Sequence, residues 1–165
     1  MHSTETGFRQ VIDYEIAKYS PADQESLEEF FGESWKGGRF PFRPDDQHSD
    51  LRNISDIYQN EQGQFWVMRV SGAVVGTNAI KSLGNKVAEV KRFNVLPNYR
   101  GKGLGSVLFQ HALDHVFQKE FSILRLDSIR NPGPAMHLFE KHGFVEIPRY
   151  NDNPNADVFM ELALR

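Results

Sequence analysis

The stretch Val87-Ala88-Glu89-Val90-Lys91-Arg92-Phe93-Asn94-Val95-Leu96-Pro97-Asn98-Tyr99-Arg100-Gly101-Lys102-Gly103-Leu104-Gly105-Ser106 decides the fold. Its first half is rich in β-branched and apolar residues and predicts a strand from Val87 to Val95, stopped by Pro97. Its second half opens a helix: Leu104, Val107, Leu108, Ala112, Leu113, Val116 and Phe117 recur at helical spacing, giving an amphipathic helix from Lys102 to about Lys119. A further strand follows from Ile123 to Ile129. Strand, helix and strand in this order predict a right-handed crossover with parallel pairing. Gly101, Gly103 and Gly105 let the backbone turn tightly and approach a ligand without a Cβ in the way. The unpaired N–H groups of a helix start, its dipole, and Arg100 and Lys102 together suit a phosphate or pyrophosphate.

Outward from this segment the elements alternate in kind. A strand is expected from Tyr14 to Tyr19, then a helix with Ser20 as N-cap, Pro21 at its first position and Asp23 as the capping-box acid. Leu27, Phe30, Phe31 and Trp35 form its apolar face, and Gly37-Gly38 ends it. A weaker helix carries Leu51, Ile54 and Ile57. Gln64 to Val70 and Ala73 to Ile80 read as a hairpin about Ser71-Gly72. Beyond the crossover, Pro134 to His142 is a short helix closed by Gly143, with Val145 to Ile147 and Asp157 to Leu164 as final strands. The class is mixed α/β, with antiparallel edges around the parallel pair.

Composition narrows the function. The 165 residues are about one domain's length and show no repeat or linker, so residues 1–165 are expected to form a single domain. Hydrophobic residues are 39% and charged residues 25%, which excludes wholesale disorder. Cysteine is absent, which removes thiolate chemistry and cysteine-ligated metals. A net charge of −3 argues against a nucleic-acid partner. No apolar run approaches the roughly 20 residues of a membrane span, and the first residues lack a signal-peptide pattern, so a soluble, cytoplasmic protein is expected. His111 and His115 stand one helical turn apart without a third ligand nearby, and no metal site is expected.

A Walker loop requires Gly-Lys-Ser/Thr after four intervening residues, and a dinucleotide fingerprint requires G-x-G-x-x-G; neither array is present. A lone G-x-G-x-G can equally be a turn that merely starts a helix. The context adds to it. Glu89 to Pro97 followed by Arg100-x-x-Gly103-x-Gly105 resembles the acetyl-CoA motif of the GNAT superfamily of N-acetyltransferases. Asn131, Ala135 and Leu138-Phe139-Glu140-Lys141-His142-Gly143-Phe144 are similar to the family's second motif. The element order matches over nearly the whole chain. The resemblance implies a central mixed, mostly antiparallel sheet with a splayed parallel pair, flanked by about four helices.

It further implies acetyl-CoA as co-substrate and an amine of a small molecule, amino acid or peptide as acceptor, attacked directly in a ternary complex. A catalytically weak acyl-CoA-binding module is the alternative, and the protein would be a monomer or homodimer. Main-chain groups of Phe93, Asn94 and Val95 would face the pantetheine arm, and the amides of Gly101, Lys102, Gly103, Leu104, Gly105 and Ser106 the pyrophosphate, flanked by Arg100 and Lys102. Asn131 would reach the pantetheine region, although a turn residue before Pro132 is the plainer reading, and Phe139 would pack near the thioester. An amine of pKa near 10.4 must lose a proton at a cost of about 4–5 kcal/mol at pH 7. Glu89 is the candidate base, against a solvated or lysine-paired strand residue, and alternation puts it on one face with Lys91, Phe93 and Val95. Phe139 stands where the family often has a tyrosine acid, and the Asn131–Ala135 spacing is longer through Pro132-Gly133-Pro134. Tyr150 is the candidate substitute, against an exposed loop tyrosine. Trp35, Phe40 and Phe42 border the loop that covers the acceptor in such enzymes, and Phe30, Phe31 and Trp35 also read as core.

Overall fold

Unbroken runs of burial at 65–68 and 74–80 mark the centre of a sheet with two apolar faces. The computed structural model describes residues 3–4, 7–8, 11–38, 40–130 and 134–164. Its elements are β1 (Ser3–Thr4), β2 (Gly7–Phe8), β3 (Glu15–Lys18), α1 (Gln24–Ser34), α2 (Ile54–Ile57), β4 (Gln64–Val70), β5 (Ala73–Gly84), β6 (Val87–Val95), α3 (Leu104–Gln118), β7 (Ile123–Ser128), α4 (Pro134–Lys141), β8 (Val145–Glu146) and β9 (Val158–Ala163). Strands β3-β4-β5-β6-β7-β9-β8 form one sheet in that order, and β1 pairs with β2 apart from it. Only β6 and β7 run parallel; the other neighbours in the sheet are antiparallel. The class is therefore the mixed, mostly antiparallel sheet with one parallel pair that the sequence implies.

One sheet face carries Phe65, Val67 and Ala79 and is covered by Leu27, Phe30 and Phe31 of α1 with Leu51 and Ile54. The other carries Trp66, Ile80, Ala88, Val90, Leu124 and Leu126 beneath Phe109, Ala112, Leu113 and Val116 of α3 and Leu138 and Phe139 of α4. Local signals set several boundaries. Ser71 and Gly72 both have positive φ, 51° and 81°, as a tight hairpin turn requires. Gly143 at φ 95° ends α4: its N–H reaches the Glu140 carbonyl at 3.0 Å and the Phe144 N–H the Phe139 carbonyl at 3.1 Å, a Schellman cap.

Some boundaries differ from expectation. A 3-10 turn at Pro21–Asp23 precedes α1, with the Asp23 carboxylate accepting the Ser20 N–H at 2.8 Å, and the helix stops at Ser34, ahead of Gly37. Helix α3 starts at Leu104, not Lys102, because Gly101 and Gly103 are left-handed at φ 73° and 84°. Strand β5 runs to Gly84, since β6 gives it a partner from Gly76 to that end. No helix among the described residues is long and apolar enough to cross a membrane.

Strand β6 carries a bulge opposite β5. Ala79 pairs with Lys91 and Thr77 with Asn94, so Arg92 and Phe93 together oppose the single residue Asn78. Arg92 takes the left-handed conformation, φ 53°, at this bulge. Strand alternation reverses there. Phe93 and Val95 therefore join Ala88 and Val90 on the α3 face, instead of sharing the face of Glu89 and Lys91. A left-handed arginine is strained by roughly 1–2 kcal/mol. Its carbonyl accepts from Thr77 Oγ1 at 2.7 Å, and its guanidinium grips Asp50 at 2.6 and 2.9 Å, which holds the bulge in place.

Candidate active site

Parallel pairing between β6 and β7 covers only Val87–Ile123, Ala88–Leu124 and Glu89–Arg125, after which the strands part. The gap is a cleft of about 760 Å³. Its walls include Lys91 to Asn94 on β6, Leu126 to Ser128 on β7, Phe139 of α4, and Trp35, Phe40 and His48 from the segment after α1.

At the point of separation four charges alternate on one sheet face. Glu89 and Arg125 are paired neighbours; Lys91 and Asp127 lie one strand step further along each chain. Glu89 is only 5% exposed. It accepts hydrogen bonds from the Tyr150 hydroxyl at 2.6 Å and Asn151 Nδ2 at 3.3 Å. The same Asn151 amide reaches Asp127 at 2.6 Å, and Asn153 Nδ2 donates to Asp127 at 3.3 Å. Lys91 Nζ lies 3.8 Å from Glu89 and 4.0 Å from Asp127. Burial, then the hydrogen bond to Glu89 and its negative charge, push the Tyr150 hydroxyl far above the ordinary tyrosine pKa, so it stays protonated. Arg125, bonded to Glu161 at 2.8 Å, lies over the Tyr150 ring.

The glycine loop follows β6 in the chain, past Val95 and a 3-10 turn at Pro97–Tyr99. A Cβ on Gly101 or Gly103 would meet open space, but their positive φ disfavours any side chain. Gly105 serves packing: a Cβ there would stand 3.6 Å from Phe93 and 3.7 Å from Val95. Arg100 Nε donates to the Val95 carbonyl at 2.8 Å, pinning the loop to β6. The open cradle at Gly101 and Gly103, the free first-turn amides of α3 and Lys102 beside them fit a pyrophosphate group.

Of the sequence-derived candidates, Glu89 and Tyr150 are in direct contact, while Phe93, Asn94, Phe139, Trp35 and Phe40 line the cleft. Tyr150 lines an adjoining cleft with Glu89, Lys81 and Arg125, whereas Phe139 lines the main one. Phe42 packs on Phe31, Trp35 and His48. Asn131 lies outside the described residues. His111 and His115 pack edge-on against Trp66, and His115 Nε2 contacts the Gln62 carbonyl at 2.8 Å. No group of three or more metal-ligating side chains is present among the described residues.

Sequence reasoning passed over Asp127, Asn151, Asn153 and His48. The alternation of Arg125 and Asp127 with the buried Leu124 and Leu126 was a readable sign of a polar face on β7. His48 is 6% exposed, accepts the Arg43 N–H on Nδ1 at 2.8 Å and lies 4.6 Å from the Trp35 ring. Burial, then the nearby Arg92 charge, hold its pKa below the usual histidine value.

Residues 25–144 match the sequence model of the acetyltransferase (GNAT) family. The chain belongs to the acetyltransferase (GNAT) family. It is similar to the N-acetylaspartate synthetase of Xenopus tropicalis, 32% identical over 103 residues, which is 60% of this chain and 37% of that protein. The chain thus spans well under half the length of that curated relative. A GNAT-family acetyltransferase from Staphylococcus aureus Mu50 superposes with a TM-score of 0.84 at 24% identity, covering 93% of this chain and all of that one, a likeness of fold. The Thermoplasma acidophilum PaiA N-acetyltransferase, solved in complex with coenzyme A, superposes with a TM-score of 0.70 at 24% identity over 92% of this chain and 99% of that one. The parted β6/β7 pair and the glycine loop of this GNAT chain are set within that shared fold.

Proposed function

We propose that the protein is an N-acetyltransferase that transfers an acetyl group from acetyl-CoA to a primary amine of a small molecule, amino acid or peptide, by direct attack in a ternary complex. One observation carries this reading: β6 and β7 separate immediately beyond Glu89, so that a buried carboxylate stands at the split, and β6 runs on from there into a glycine-rich helix start. Acetyl-CoA, when bound, supplies an acetyl thioester open to attack by nitrogen. The amides of Gly101 to Ser106, with Lys102, hold the negative charge of the pyrophosphate. Phe93, Asn94 and Val95 border the pantetheine path, with the Val95 carbonyl already engaged by Arg100. Phe139 gives that path an apolar wall with Phe93, whose ring centroid is 6.1 Å away.

Glu89 takes the proton from the acceptor ammonium through a bridging water, which frees the nitrogen lone pair to bond the carbonyl carbon as the carbon–sulfur bond breaks. Tyr150 holds Glu89 in place by donating its hydroxyl hydrogen, and Asn151 ties Glu89 to Asp127. The nitrogen's second proton leaves to solvent as the amide forms, and the departing thiolate, of pKa near 8.5, is protonated from solvent. The purified protein, given acetyl-CoA and a panel of amines, should release free thiol, and acetyl-CoA alone should raise its Tm. A Tm shift without thiol release from any amine would leave an acyl-CoA-binding module in place of an enzyme.

A further inference from the structure

The acceptor side of the cleft has a definite chemistry, and it deepens the N-acetyltransferase reading on which it rests. On the α1 side the wall is aromatic: Trp35, Phe40 and His48 line it, the Trp35 and His48 rings being 4.6 Å apart. At the strand split Glu89, Asp127 and the Glu161 that holds Arg125 face the two cations Lys91 and Arg125, so the formal charges sum to −1. The cations that line the cleft among the described residues are already paired. Lys91 lies within 4.0 Å of both carboxylates, Arg92 is held bidentately by Asp50, and Arg130 meets Glu146. Asp127 has one hydrogen bond on each carboxylate oxygen, which leaves lone pairs for an ammonium.

We propose that the acceptor is a primary amine carried on a flat, apolar group and bearing no carboxylate. Its ammonium is received by Asp127 and its flat group lies against Trp35, Phe40 and His48. A carboxylate on the same molecule would enter a site of net negative charge with no described cation left to pair it, and desolvating it there is unfavourable. The flat group gains from apolar burial and ring stacking.

2-Phenylethylamine and phenylalanine differ only by the α-carboxylate and make the comparison direct, with aspartate as the most anionic probe. The expected result is a kcat/KM for thiol release at least about tenfold higher for phenylethylamine than for phenylalanine, and higher again than for aspartate. Asp127→Asn, which removes the negative balance, should lower kcat/KM for phenylethylamine about ten- to a hundredfold and narrow its margin over phenylalanine. A second readout needs no turnover. The chain has two tryptophans, and Trp66 is buried beneath His111 and His115. Phenylethylamine should therefore quench Trp35 fluorescence at concentrations where phenylalanine does not, and Trp35→Phe should abolish that signal. Equal or better use of phenylalanine or aspartate, or equal quenching by them, overturns the assignment of acceptor class. Absence of thiol release with every amine overturns the enzymatic reading instead, and the quenching comparison then decides the acceptor class by itself.

Discussion

Replacing Glu89 with glutamine isolates the proton-accepting step. The amide keeps the shape of the carboxylate and can still accept the Tyr150 hydroxyl, now 2.6 Å away, so the sheet and the β8–β9 loop should stay in place. It loses the charge facing Lys91 at 3.8 Å and, above all, the capacity to take a proton. For an acceptor of pKa near 10.4, only about one molecule in 2,500 is unprotonated at pH 7. If the variant must wait for that fraction, its rate falls by up to about 2,500-fold, inside the usual range of about 10²–10⁴ for loss of a general base. The size of the defect then depends on pH. Each unit above pH 7 raises the free-amine fraction about tenfold, so the variant should gain on the wild type until the two converge near pH 10. Thiol release measured across pH 7–10, beside the Tm of both proteins, checks this. An unchanged rate would refute the role of Glu89. A large defect that does not shrink with rising pH would refute it too, because that pattern reports damage to the Tyr150–Asn151–Asp127 network instead of a missing base.

Tyr150→Phe removes the hydrogen bond that positions the Glu89 carboxylate, so kcat should fall several-fold while the Tm gain from acetyl-CoA is kept; an unchanged kcat would dissociate the two residues. Gly103→Ala forces a side chain into φ 84°, which should cost about 1–2 kcal/mol and lower the Tm by about 2–8 °C, with the Tm gain from acetyl-CoA lost as well. Asp50→Ala leaves the Arg92 guanidinium in the sheet without its partner; since both side chains retain some exposure, at 18% and 19%, the loss seen in urea denaturation should be about 2–4 kcal/mol, below a fully buried pair. Burial alone would raise the Asp50 pKa, but Arg92's hydrogen bonds and charge and the Tyr58 hydroxyl at 2.5 Å hold it below the usual aspartate range. Its stabilising contribution is therefore complete above about pH 4 and disappears as pH falls through the lower folded value, a loss the Asp50→Asn protein should lack.

The local patterns carried the sequence a long way. Enrichment in β-branched and aromatic or apolar residues between turn signals fixed β4 and β6 at Gln64–Val70 and Val87–Val95, helical spacing fixed the buried face of α3, and the glycines marked the turn before it and the end of α4. These are properties of neighbouring residues, in composition or in a repeat of 3.6 positions, and they survive without knowledge of the rest of the chain. Elements split or shortened in the structure, such as the 3-10 turn ahead of α1, are those where capping competes with a weak local preference.

The site was only half legible, for the opposite reason. Glu89 could be picked out on its strand, but its partner Tyr150 lies 61 positions away, and Asp127 and Asn151 meet only when β7 and the β8–β9 loop come together. The bulge at Arg92 has no local mark: no glycine or asparagine stands there to take φ 53°. Asp50, 42 positions earlier, and Thr77 on the neighbouring strand hold it, so the side of the sheet that Phe93 faces was set by contacts distant in sequence. Sequence by itself determined the order of the elements from β3 onward, the parallel crossover and the glycine loop, but not the β1/β2 pair. Tertiary structure alone decided where β6 and β7 part and which charges meet at the split, because pairing energies between remote segments outweigh a strained local conformation.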